Sequence, residues 1–131
     1  MNSISMNKEL VQRFFTILNS GNYELAFEIV SDDVNWWVPG TLPFSGSKNK
    51  IQYFAIAKMI QSNFPSGFKI DILSMIGEND FVAAAAESSG NHKNGRAYRN
   101  KYHFLIQIRD KKFVNVKEYM DTLHLAQLIA P

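Results

Sequence analysis

The segment from Arg99 to Thr122 limits the fold most strongly, because it spells two long strands joined by the short polar break Asp110-Lys111-Lys112. Runs rich in aromatic and β-branched residues, separated by two or three turn residues, specify an antiparallel hairpin. Tyr102, Phe104, Ile106 and Ile108 share one face of the first strand by period-two alternation. On the second strand Val114, Val116 and Glu118 share parity. A carboxylate on an apolar strand face needs a partner, a proton or a ligand. Glu118 is therefore the leading functional candidate.

The residue opposite Glu118 depends on the turn. A two-residue loop at Asp110-Lys111 sets His103 there, and a three-residue loop sets Phe104. A His103–Glu118 pair would form a proton-transfer unit. Asp121, where the strand runs out, is either a further acid or a cap for the terminal turn.

At 131 residues the chain predicts a single domain, 1–131, able to bury roughly two-thirds of its unfolded surface. Aromatic content of 13%, with ten Phe, five Tyr and two Trp, supplies both a core and a pocket wall. A net charge of +2 without a block of like charges gives no footprint for nucleic acid or an anionic membrane. The absence of cysteine excludes disulfides, thiolate nucleophiles and Cys-ligated metals. The three histidines lack metal-ligand spacing, and no phosphate-binding or nucleophile-elbow motif is present. Chemistry without metal or cofactor is expected. Met1-Asn-Ser-Ile-Ser has neither a basic segment nor an apolar leader, and no apolar run nears ~20 residues, so the expectation is a soluble cytoplasmic protein.

From Asn7 to Asn19, apolar residues at Leu10, Val11, Phe14, Phe15, Ile17 and Leu18 follow helical spacing, with Ser5 or Asn7 as the cap. After Gly21, Asn22 caps a shorter helix. Val34–Val38 is a strand whose adjacent Trp36 and Trp37 point to opposite faces, so one of them enters any given cavity. An irregular loop runs from Pro39 to Gly46. Ser47 caps a third helix that carries Ile51, Phe54, Ala55 and Met59 on one face, broadened by Tyr53, Ile56 and Ile60. Strands then follow over Phe68–Ile76, Phe81–Gly90, Arg96–Arg109 and Phe113–Met120, the third long enough to need a bulge or bend. Ala83–Ala86 leave room for a close helix or a ligand. Residues 121–130 are expected to form a loop and a short helical turn. The pattern predicts an α+β fold, three N-terminal helices on one face of a curved, mainly antiparallel sheet.

Val11-Gln-Arg-Phe-Phe-Thr-Ile-Leu-Asn-Ser-Gly-Asn-Tyr23 before Ser31-Asp-Asp-Val-Asn-Trp36, with Asn100-Lys-Tyr-His-Phe and Lys117-Glu-Tyr-Met-Asp-Thr122, resembles the SnoaL-like group of the nuclear transport factor 2-like superfamily. That group includes ketosteroid isomerases, limonene epoxide hydrolases and polyketide cyclases. The resemblance spans nearly the whole chain. It implies a cone-like α+β barrel enclosing a cavity, and a homodimer through the outer face of the sheet. Where the closing turn of the family has Gly-Lys, this chain has Lys111, so a left-handed conformation there comes at a cost.

Glu118 is expected to act as a general base or acid, with His103 and Asp121 as companion catalytic candidates. The alternative is a structural ion neutralised by Arg99 or Lys101. Trp36, Trp37, Tyr53, Phe54, Glu87, Asn100 and Tyr102 are the candidate ligand-binding residues. Two functions follow: a cofactor-independent isomerase, cyclase or hydrolase acting on a small apolar molecule, or a non-catalytic module that binds a hydrophobic ligand or dimerises.

Overall fold

A computed structural model describes residues 3–131. Helix α1 (Ser3–Asn19) buries Val11, Phe14, Phe15 and Leu18, a stripe at i, i+3, i+4 and i+7. It starts before Ser5 and Asn7, so neither is its cap. Asn22 caps α2 (Tyr23–Phe27) by accepting the Leu25 N–H at 3.1 Å. Strand β1 (Val30–Val38) leads to a short strand, β2 (Gly46–Lys48), where a loop was expected. Ser47 therefore lies in a strand. Helix α3 (Lys50–Ser62) is capped instead by Asn49, in a reciprocal capping box with Gln52.

The apolar face expected on α3 is rotated. Ile51 is 82% exposed, and the inner side is Tyr53, Ala57 and Ile60. The helix covers a hollow rather than a continuous core, so its apolar residues do not all find partners.

Four strands follow as a meander: β3 (Phe68–Glu78), β4 (Phe81–Asn91), β6 (Lys101–Arg109) and β7 (Lys112–Met120). The two-residue β5 (Ala97–Tyr98) pairs only with β4, and the break at Arg99-Asn100 is the bend that the length of this run required. The sheet order is β2-β1-β7-β6-β4-β3, with β1 and β7 its parallel pair. Val82, Ala84 and Ala86 face the helices. At Gly77 an added Cβ would lie 2.6 Å from the Ile4 side chain, so α1 crosses close over the sheet there and a larger residue would force Ile4 to move. The C-terminal segment is a full helix, α4 (Thr122–Ile129), rather than a single turn. This is the expected cone-shaped α+β architecture, with four helices instead of three. Among the described residues no helix is long and apolar enough to cross a membrane.

The register of the last hairpin has a cause the sequence conceals. Asp110 (φ 53°) and Lys111 (φ 61°) are both left-handed, the signature of a two-residue type I′ turn. Arg109 and Ile108 accordingly pair with Lys112 and Phe113. A bulge at Val114 then shifts the ladder by one, so that Gln107 meets Asn115 and Phe104 meets Glu118. The loop has two residues, yet Phe104 takes the place expected for His103. Val114 is half-buried and out of phase, whereas Phe113, Val116 and Glu118 point inward.

Candidate functional site

Glu118 is 8% exposed and sits at the base of a cavity between the sheet and helices α3 and α4. Two neutral donors from different elements converge on its Oε1. The Trp36 indole N–H, from β1, donates at 2.9 Å, and the Tyr53 hydroxyl, from α3, donates to the same oxygen. The rings support one another: Trp36 lies 4.0 Å from Tyr53 and stacks on Phe27 at 6.1 Å, centroid to centroid. Among the described residues no cation pairs with Glu118; the ion pairs are Lys50–Asp32, Lys58–Glu24 and Arg109–Asp80. The structural ion with Arg99 or Lys101 is therefore not formed. Among the described residues Oε2 has no hydrogen-bond partner, and it is not fully buried.

Electrostatics follow from this setting. Burial raises the Glu118 pKa above its ordinary value, against the opposing pull of the Tyr53 and Trp36 hydrogen bonds. Tyr53 and Tyr102 are pushed well above the usual phenol range, chiefly by burial and in part by the nearby carboxylate. Tyr98 rises to about 12, mainly through burial. All three phenols therefore keep their protons at neutral pH, while Glu118 is held closer to neutrality than a surface carboxylate.

A second polar row lies beside Glu118. The Tyr98 and Tyr102 hydroxyls are 2.7 Å apart, and Asn100 Nδ2 donates to the Tyr98 hydroxyl at 2.9 Å. Either hydroxyl can donate in the Tyr98–Tyr102 pair; Tyr98 has lone pairs for both Asn100 and Tyr102, and the Tyr102 proton turns to a ligand when Tyr98 donates instead. The remaining wall is mostly apolar, with Val38, Phe44, Ile60, Phe64, Leu125 and Leu128 prominent. The cavity holds about 70 Å³ of positions for the centre of a water-sized sphere. Adding a water radius on every side leaves space for a molecule of one or two rings.

The structure gathers three of the expected residues, Glu118, Tyr53 and Tyr102, around this space, with Trp36 bonded to Glu118 from behind the wall. It separates the others. His103 is exposed on the outer face, opposite Ala85 and Tyr119, so no His103–Glu118 pair exists. Glu87 is exposed on the same outer face, in register with Asp71 and Lys101. Trp37 also faces outward, 5.3 Å from Tyr119. Phe54 packs on Phe27 and lines a neighbouring surface groove instead. Asp121 caps α4, its side chain accepting the His124 N–H at 3.2 Å. Asn100 is buried and ties Asp121 to Tyr98 and Ser88, so it supports the site from behind. Tyr98 was missed. Its signal was the spacing Tyr98, Asn100, Tyr102, which repeats every two residues and aligns all three on one face. Among the described residues no group of three metal-ligating side chains occurs.

The family model for the SnoaL-like domain matches residues 11–116. No curated protein matches the chain. Among solved structures, Bal32a from a soil-derived mobile gene cassette superposes with a TM-score of 0.87 at 18% identity, covering 97% of this chain and 98% of its own. PrhC from Penicillium brasilianum gives 0.87 at 16% identity, covering 97% and 87%. IdmH from Streptomyces antibioticus, proposed to be a polyketide cyclase, gives 0.79 at 20% identity, covering 93% and 97%. At these identities the likeness establishes the fold.

Proposed function

We propose, from the premise that this chain belongs to the SnoaL-like domain family, that it is a cofactor-independent enzyme in which Glu118 moves a proton on a small apolar carbonyl compound. The observation that carries this reading is the asymmetry of the Glu118 carboxylate. One oxygen is fixed by two neutral donors, and the other, without a partner among the described residues, shares its cavity with the Tyr102 phenol, which keeps its proton. Fixing Oε1 orients the group without a cation that would hold it ionised, and burial lifts its pKa toward the working range of a general base.

In the reaction this supports, Oε2 takes a proton from the carbon next to the carbonyl. The C–H electron pair becomes a carbon–carbon double bond and the carbonyl π pair moves onto oxygen, giving an enolate whose oxygen accepts a hydrogen bond from the Tyr102 hydroxyl. Return of the proton from Glu118 to another carbon gives an isomerase. Attack of the enolate carbon on a second carbonyl of the same molecule breaks that C=O π bond, and return of the Glu118 proton to the resulting alkoxide completes a cyclase cycle. The likeness to IdmH makes the cyclase branch worth testing first. Proton exchange at the position next to the carbonyl of acetophenone, followed by NMR in D2O, tests the common step. Saturable quenching of Trp36 fluorescence without exchange would favour the non-catalytic ligand-binding reading instead.

We also infer that a second copy covers the outer face of the sheet. That face carries Leu73, Ile76, Phe81 and Tyr119, with Ile76 74% exposed, beside Ala83, Ala85 and Leu105. Such a contiguous apolar face on a sheet calls for cover. Sedimentation equilibrium at micromolar concentration tests it, and a clean monomer would overturn it.

A further inference from the structure

Two polar side chains on the cavity wall have no part in the chemistry above. His92 lies just past β4, fixed by backbone bonds from its own N–H to the Arg96 carbonyl and from the Gly95 N–H to its carbonyl, both 2.9 Å. Its Nδ1 accepts the Asn94 N–H at 3.1 Å. In the neutral imidazole the proton therefore sits on Nε2, and Nε2 has no partner among the described residues. Asn63 closes the C-terminus of α3. Its carbonyl accepts the Lys93 N–H at 2.8 Å, which draws this helix end against the His92 turn. The Asn63 carboxamide also has no partner among the described residues.

Both residues are half-buried and line the same cavity as Glu118. They are reached from Glu118 by way of the tyrosines: the Tyr102 hydroxyl meets that of Tyr98, whose ring lies 6.2 Å from Phe64, which in turn meets His92 edge-on at 5.4 Å. Unused donors on an otherwise apolar wall are the groups that fix the orientation of a ligand. They also penalise a ligand that leaves them unpaired.

We propose that His92 Nε2–H and the Asn63 carboxamide form a second polar anchor, selecting elongated one- or two-ring molecules that carry an oxygen acceptor at the end remote from Glu118. This inference rests on the pocket reading above and names its substrate class: apolar rings with oxygen functions at both ends.

The test compares the affinities of acetophenone, with one ketone, and 1,4-diacetylbenzene, with two opposed ketones, by fluorescence titration and calorimetry. The wild-type protein should bind the diketone about five- to tenfold more tightly, the worth of one neutral hydrogen bond. His92→Asn keeps an acceptor near Nδ1 for the Asn94 N–H but removes the outer donor. It should erase that preference, read as the ratio of the two affinities within the variant. His92→Gln, which keeps a terminal N–H, should retain part of it. Asn63→Ala leaves the His92 turn intact and should reduce the preference independently, which guards against a His92 variant that fails to fold. Equal binding of the two ketones by the wild type, or a preference that survives in His92→Asn, overturns the inference while the pocket reading stands. Failure of acetophenone itself to bind overturns both.

Discussion

Glu118 and His103 belong to the same hairpin, one register step apart, and they meet opposite environments. Glu118 faces inward against Phe104, is almost wholly buried, and carries a raised pKa. His103 faces outward beside Tyr119 in an exposed position. Most polar groups of these strands lie on the outer face, Lys101, His103, Gln107 and Lys117 among them, whereas the inner face removes water from the few it holds. Chemistry in this fold thus depends on which face a side chain takes, and the Val114 bulge decides that for every residue after it.

The largest test of this contrast is activity. Glu118→Gln keeps an oxygen to accept from Trp36 and Tyr53 but cannot take a proton, so ketone proton exchange should fall by about 10²- to 10⁴-fold. His103→Gln should leave exchange within about twofold. A loss with the outer histidine equal to that with the inner glutamate would erase the distinction between the faces.

Stability comes next. Phe104 is 1% exposed within the aromatic core and stacks on Tyr102, whereas its neighbour Leu105 is half-buried on the outer face. Phe104→Ala should cost about 3–5 kcal/mol in urea unfolding. For Leu105→Ala, measured at concentrations where the protein is monomeric, the expected cost is about 1 kcal/mol or less. The outer face should instead respond through assembly: Ile76→Lys should weaken the proposed dimer at least about tenfold by sedimentation while leaving the melting temperature of the dilute protein nearly unchanged.

The smallest effect is the most diagnostic. Burial raises the folded pKa of Glu118 above its unfolded value near 4.5. At a pH below the unfolded value the carboxyl is protonated in both states, and no penalty exists. As pH climbs from there through the folded pKa, ionisation costs folding free energy. Glu118→Gln should therefore melt higher than the wild type at about pH 7, and the difference should close by about pH 3.5. A variant that melts lower at neutral pH would mean that the carboxylate is a stabilising structural group.

Much of this was legible in the residues alone. The i, i+3, i+4, i+7 stripe of α1, the Asn22 cap, the meander, and Glu118 on an apolar strand face are local patterns, set by the periods of helix and strand. Three features were not legible. The Val114 bulge follows no sequence rule visible here, yet it exchanged Phe104 for His103 opposite Glu118. The face of α3 was misjudged because a helix over a hollow does not bury all its apolar residues, so Ile51 is solvent-facing while Tyr53 reaches the carboxylate. The cavity wall formed by Asn63, His92 and α4 joins segments distant in sequence, and backbone hydrogen bonds such as Lys93 to Asn63 assemble it. The sequence by itself determined the three N-terminal helices, the strand meander and that a carboxylate would lie among apolar side chains, because local periodicity and desolvation need no partner to be named. Only the tertiary structure decided which neutral donors hold that carboxylate and which oxygen stays free, because register and helix rotation are settled by contacts across the whole chain.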